Sequence, residues 1–142
     1  MSTGDQDETL PEAFWAVARH LRHLSREALA PWGITPSQLR AVMTLVRHGT
    51  VRLSQLSDHL RIAARSTTEV VDGLQDRGLV ERLPDPNDRR ATLVRLTDQG
   101  TELGAAVLSA RAAEAEGFFS RISESDRAEL ARILRELREL RG

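Results

Sequence analysis

A mainly α-helical fold carrying one small two-stranded β-hairpin is what this sequence predicts, on three observations. Apolar residues recur at spacings of three and four over most of the chain, the period of an amphipathic helix. Residues 79–96 instead show short alternating runs around a loop of turn formers, Pro84-Asp85-Pro86-Asn87-Asp88. Aromatic residues make up only 4% of the 142, so the core must be aliphatic.

The first helix is expected over residues 11–30, with Phe14, Val17, Ala18, Leu21, Leu24 and Ala28 on one face and Pro31 and Gly33 as its stop. Thr35-Pro36-Ser37-Gln38 opens the second. Thr35 can cap, Pro36 suits the first helical position, and Gln38 completes a capping box. Leu39, Val42, Met43 and Val46 form its inward face, and His48-Gly49 ends it. A short third helix at 53–60 buries Leu53, Leu56 and Leu60, and Arg61-Ile62-Ala63 turns into a fourth from Ala64 to Arg77. Its inward positions are Thr67, Val70, Val71 and Leu74, and Gly78 is a left-handed stop. The strands are Leu79–Leu83 and Ala91–Leu96. Thr97 caps a fifth helix that runs to about Phe119, and Ser123 caps a sixth with Leu130, Ile133, Leu134, Leu137 and Leu140 along one face.

The middle of the chain, residues 35–96, therefore predicts a winged helix-turn-helix unit. Residues 1–10 are a polar tail, and 11–34 with 97–142 form a helical region whose apolar faces exceed what the small middle can cover. Surplus apolar faces at both ends point to a second copy of the chain, with terminal helices forming a dimerisation domain.

Composition narrows the function. There is no cysteine, which excludes disulfides, thiolate metal sites and thiol redox switching. The acidic start, MSTGDQDETLPE, does not resemble a secretory signal, and no apolar run approaches the roughly 20 residues of a membrane span, so a cytoplasmic location is expected. Net charge is −1, unlike the basic balance of many nucleic-acid binders, yet all 20 basic residues are arginine, the better residue for forked contacts to phosphate and guanine. No nucleophile–base pairing, glycine-rich phosphate loop or metal-ligand cluster is present, so no enzyme and no cofactor are expected. A helix followed by a hairpin with arginines at its tip suits a DNA duplex, the helix in a major groove and the tip in an adjacent minor groove.

The stretches GITPSQLRAVMTL, LSQLSDHL, VVDGLQDRGLVER and DPNDRRATLVRLTDQG carry a resemblance. In these the chain resembles the MarR family of bacterial transcriptional regulators over nearly all its length. The wing stretch is the most specific of the four. The resemblance implies a homodimeric winged-helix repressor or activator with interdigitated terminal helices, and a repressor on a pseudo-palindromic operator is expected. It also implies release by a small aromatic or anionic effector lodged between the dimer helices and the winged domain. The rival reading is a winged helix used as a protein-interaction or scaffold module, which the near-neutral charge favours.

On the fourth helix the candidate DNA contacts are Arg65, Ser66, Thr68 and Glu69, on the face opposite Val70, Val71 and Leu74. Arg65 can fork onto guanine, a contact of about 1–3 kcal/mol in discrimination. Glu69 stands where the family commonly has a basic residue, and a carboxylate there is repelled by phosphate unless it accepts from a cytosine amino group. Ala63 stands where relatives often carry a Ser or Asp cap. At the wing, Arg90 is the candidate for minor-groove insertion, Arg89 for a phosphate, and Asp88 for bracing the loop. Arg61 and Arg52 are candidate phosphate contacts that position without specifying. Trp15, His20, His23 and Trp32 lie in segments suited to an effector cleft, against the alternative that both tryptophans pack in the core. His20 and His23 alone do not make a metal site, since further ligands would have to come from elsewhere.

Overall fold

The computed structural model describes residues 7–140. Contacts divide the chain into two units: the chain up to Ala28 together with the chain from Ala110 onward, and Leu29–Ser109.

The second unit begins with a turn of 3-10 helix, Ala30–Trp32, closed by Gly33 in the left-handed conformation. Helix α2 (Pro36–His48) starts at the predicted capping box: Gln38 N–H donates to Thr35 Oγ1 at 3.1 Å, and Thr35 N–H donates to Gln38 Oε1 at 3.2 Å. Strand β1 (Val51–Arg52) follows, then α3 (Leu53–Leu60) and α4 (Ala64–Asp76). Gly78 has φ +73°, the left-handed stop expected after α4. Strands β2 (Val80–Asp85) and β3 (Asp88–Leu96) make the wing.

The wing is the expected two-stranded hairpin, and a further short strand joins it: the sheet has three antiparallel strands in the order β1-β3-β2, because Val51 pairs with Val94 and Arg52 with Leu93. Two residues are too short a run for alternation to reveal, so only the partner strand defines β1. Residues 84–88 were read as loop, yet only Pro86 and Asn87 remain unpaired, since Asp85 pairs with Asp88. Pro84 is tolerated within β2 because β2 lies at the sheet edge, where a missing N–H breaks no ladder.

The core is aliphatic. Val42, Leu56, Val71, Leu74 and Val94 are fully enclosed, with Leu45, Leu60 and Val80 nearly so. Burying each such side chain contributes about 1.5–3 kcal/mol, which holds α2, α3 and α4 against one another and against the sheet. The inward face of α2 differs from its expected composition. Ala41, Val42 and Leu45 are buried, whereas Val46 is 44% exposed. Gly104, in the helix that follows the wing, packs closely against Val46, since a Cβ there would stand 3.0 Å from Val46 Cγ2, yet much of that side chain stays open. Leu53 is half-buried against the core rather than within it.

Helix α5 (Asp98–Phe119) is tied to the end of the wing by Thr97, whose N–H donates to Leu79 O at 3.0 Å and whose hydroxyl donates to Gly78 O at 2.6 Å. Gly100 N–H in turn donates to Thr97 Oγ1 at 3.1 Å. The unit boundary falls inside α5, between Ser109 and Ala110.

In the first unit, α1 (Leu10–Leu29) begins one residue earlier than predicted. Thr9 and Glu12 form a reciprocal cap: Glu12 N–H donates to Thr9 Oγ1 at 3.3 Å and Thr9 N–H to Glu12 Oε2 at 3.1 Å. Helix α6 (Glu124–Glu139) is capped by Ser123 as expected, its Oγ accepting from Asp126 N–H at 3.0 Å. On its outer face Arg132 donates to both Glu129 and Glu136, and its hydrogen bond and charge hold the Glu129 carboxyl below the usual carboxylate range. Phe14 and Val17 on α1 and Ile133 and Leu137 on α6 stand exposed, as does Leu140 just beyond α6.

Candidate nucleic-acid interface

The turn between α3 and α4 is built from backbone strain and buried hydroxyls. Arg61 closes α3 at φ +55°, the only non-glycine residue with positive φ among the described residues. The left-handed conformation costs a side-chain-bearing residue about 1–2 kcal/mol, and it throws the Arg61 side chain out to solvent. Beneath it, Ser57 Oγ donates to Ile62 O at 3.0 Å, and the buried Thr67 hydroxyl donates to Ser57 Oγ at 3.0 Å. Arg40 Nη2 donates to Leu60 O at 2.6 Å. These bonds occupy carbonyls that the turn would otherwise leave orphaned, and so fix the angle at which α4 leaves α3. Periodicity showed Thr67 as an inward position but gave no sign that its hydroxyl joins the two helices.

Helix α4 presents Arg65, Ser66 and Glu69 to solvent. Thr68 is half-buried, and its hydroxyl donates to Ala64 O at 3.0 Å. Ala63 sits at the N-cap with no side-chain acceptor, so the first N–H groups of α4 face outward without an internal partner from that residue.

At the wing tip, Asp85 and Asp88 each fold a carboxylate back on the chain. Asp85 Oδ1 accepts from Asn87 N–H at 2.9 Å, and Asp88 Oδ1 accepts from Arg90 N–H at 2.9 Å. The Arg89 and Arg90 side chains are exposed. Arg52, read as a phosphate candidate, is engaged elsewhere: its Nε donates to Asp85 Oδ2 at 2.8 Å, and the Asp85 side chain is only 6% exposed. Burial of that carboxylate draws in the nearest arginine, which β1 supplies from across the sheet.

Ten arginines and nine carboxylates lie in the second unit, so it carries no general basic field and local placement decides. Arg40, Arg52, Arg77, Arg82 and Arg95 are bound to protein acceptors. Arg47, Arg61, Arg65, Arg89 and Arg90 are exposed, and their guanidinium groups make no hydrogen bond or ion pair within the unit. Four of these five stand at the α3–α4 turn, the first turn of α4 or the wing tip, which is where a duplex-reading surface would need them.

The proposed effector residues are more scattered. Trp15, His20 and His23 belong to the first unit and Trp32 to the second. Trp15 is 59% exposed, which overturns the alternative that it packs in the core: α1 turns that position outward. His20 lies against Phe118 with ring centroids 5.2 Å apart, and His23 is 3.1 Å from Glu27. Trp32 is half-buried, and its carbonyl accepts from Arg77. Among the described residues no group of three or more metal-ligating side chains is brought together, and no helix is long and apolar enough to cross a membrane.

Comparison with known proteins agrees with this geometry. The profile of the MarR family matches residues 34–92. An HTH-type transcriptional regulator of Mycobacterium bovis is 36% identical over 82% of this chain and 77% of its own length. The HTH-type transcriptional repressor MdtR of Bacillus subtilis is 28% identical over 78% of this chain and 72% of its own. Among solved structures, RV1404 from Mycobacterium tuberculosis superposes with a TM-score of 0.83 at 28% identity, covering 98% of this chain and 97% of that one. The chain belongs to the MarR family of HTH-type transcriptional regulators and is a DNA-binding regulator with their winged-helix fold.

Proposed function

We propose that the chain is a cytoplasmic, non-enzymatic repressor that binds a pseudo-palindromic operator as a homodimer. The observation that carries this reading is the placement of the unpaired arginines. At the turn, helix α4 and the wing tip, Arg61, Arg65, Arg89 and Arg90 make no hydrogen bond or ion pair within the unit, whereas Arg40, Arg52, Arg77, Arg82 and Arg95 are held by protein acceptors. In this reading α4 enters the major groove, where Arg65 forks onto a guanine and Ser66 and Thr68 contact bases or backbone. Glu69 meets a cytosine. Arg61 and Arg89 neutralise phosphates, Arg90 enters the minor groove, and Asp88 holds the Arg90 backbone in place.

The dimer is supported by the exposed apolar residues of α1 and α6. Two-fold symmetry then sets the half-sites about 34–36 Å apart, one helical turn of DNA. Repression is the role named for the relative MdtR. A small aromatic or anionic effector would release DNA by favouring a dimer with mis-spaced recognition helices.

Selection of bound duplexes from a random pool tests the reading, with Arg90→Ala as the paired variant. The expected result is an inverted repeat, bound at least tenfold more weakly by Arg90→Ala at unchanged thermal stability. Enrichment of no duplex, or equal binding by the variant, would refute it and leave the winged helix as a protein-interaction module.

A further inference from the structure

Arg82 lies on β2, outside the wing tip and outside the reading face of α4, yet its guanidinium reaches across to that helix. Nη1 donates to the Gln75 side-chain oxygen, and Nη2 donates to Asp72 Oδ1 and, at 3.5 Å, to Thr68 O. Thr68, Asp72 and Gln75 are spaced by four and three, so they form one stripe along α4, roughly two turns long. The stripe lies next to the face carrying Arg65, Ser66 and Glu69. The Arg82 side chain is 26% exposed, and its two terminal nitrogens are both committed to α4. In the ladder Arg82 pairs with Val94 of β3, the strand that begins with Asp88-Arg89-Arg90.

We propose that Arg82 is a positioning residue for DNA recognition, joining the recognition helix to the wing so that both meet adjacent grooves as one rigid body. The inference rests on the reading of α4 and the wing as the DNA surface. A planar fork fits this task, since it holds a carboxylate and an amide oxygen at fixed angles that a lysine cannot match. Arg82 thus acts on DNA through α4 and does not touch it.

A strut and a phosphate contact are separable by salt. Each lost phosphate contact flattens the dependence of log affinity on log salt concentration by about 0.9, whereas loss of alignment lowers affinity at unchanged slope. The experiment uses the full-length protein and a duplex selected by the parent. Arg82→Met, Asp72→Asn and the double variant are titrated over a salt series, against the selected duplex and a scrambled one. Arg82→Lys is a further variant that keeps the charge and loses the fork. Arg82→Met and Arg82→Lys should each bind the selected duplex about tenfold more weakly while binding the scrambled one nearly as the parent does, with the parental slope. The double variant should be no worse than Arg82→Met, since both changes break one linkage.

A slope flattened by about 0.9 in Arg82→Met, with Asp72→Asn unaffected, would make Arg82 a phosphate contact and overturn the proposal. Parental affinity in Arg82→Lys would overturn it as well, and that variant answers even if Arg82→Met fails to fold. If the parent itself selects no duplex, the reading of the DNA surface fails first and takes this inference with it.

Discussion

Replacing Gly100 with alanine tests how α5 is anchored to the winged unit. A Cβ at this position would stand 2.0 Å from the Leu79 carbonyl oxygen, 3.0 Å from its carbon and 3.1 Å from Leu96 Cδ2. A carbon–oxygen contact needs about 3.3 Å, so the start of α5 must retreat by about 1.3 Å. The obstacle is backbone at the head of β2 and cannot rotate away. Overpacking of this kind costs about 1–3 kcal/mol. The retreat also stretches the two bonds of Thr97 to Gly78 and Leu79, each contributing about 1 kcal/mol. Alanine returns up to about 1 kcal/mol in helix propensity. The net expectation is a loss of about 2–3 kcal/mol. At this chain length that corresponds to a fall in Tm of about 6–10 °C. Gly117→Ala is the internal control, because its Cβ meets nothing within 4 Å and it lies in the same helix. It should stabilise by up to about 1 kcal/mol. Urea unfolding followed by circular dichroism measures both variants. A Gly100→Ala protein whose midpoint equals or exceeds that of Gly117→Ala would refute the packing argument.

The other two predictions concern the wing and the recognition helix. Asp85→Ala removes the acceptor shared by Arg52 Nε and Asn87 N–H, and should cost about 1–2 kcal/mol, the low end because Arg52 is itself 42% exposed. Amide exchange at Asn87 should quicken in that variant; unchanged exchange and stability would mean the carboxylate does not brace the tip. Glu69→Gln should shift one position of each selected half-site from cytosine towards adenine, since glutamine pairs with the adenine edge and a carboxylate only accepts. If the preferred sequence stays the same while binding to every duplex tightens, Glu69 merely repels phosphate.

Capping and turn chemistry made much of the fold legible. Thr35 with Gln38, Ser123, Thr97 and Gly78 all mark their boundaries through interactions within a few residues, so local sequence specifies them. The Thr9–Glu12 cap is equally local, and it places the start of α1 inside the stretch that composition marks as a polar tail. The exposed arginines at 61, 65, 89 and 90 were likewise visible as candidates, because a helix-turn-helix pattern and a turn-rich hairpin fix which positions face outward.

What the residues alone determined was the order of helices, the hairpin and the aliphatic composition of the core, since each follows from periods of 3.6 and 2 and from short-range caps. Packing between distant segments settles which charges stay free. Arg52 and Arg90 are both arginines near a wing, yet one neutralises a buried carboxylate 33 positions away in sequence while the other stays open. Arg82 reads as an ordinary strand residue until Thr68, Asp72 and Gln75 are brought beside it. Strand β1 likewise exists only because β3 offers it a ladder. Pairings between distant residues depend on how elements pack, and no local pattern encodes them. The selection among chemically identical side chains that leaves Arg61, Arg65, Arg89 and Arg90 open is therefore made by the fold.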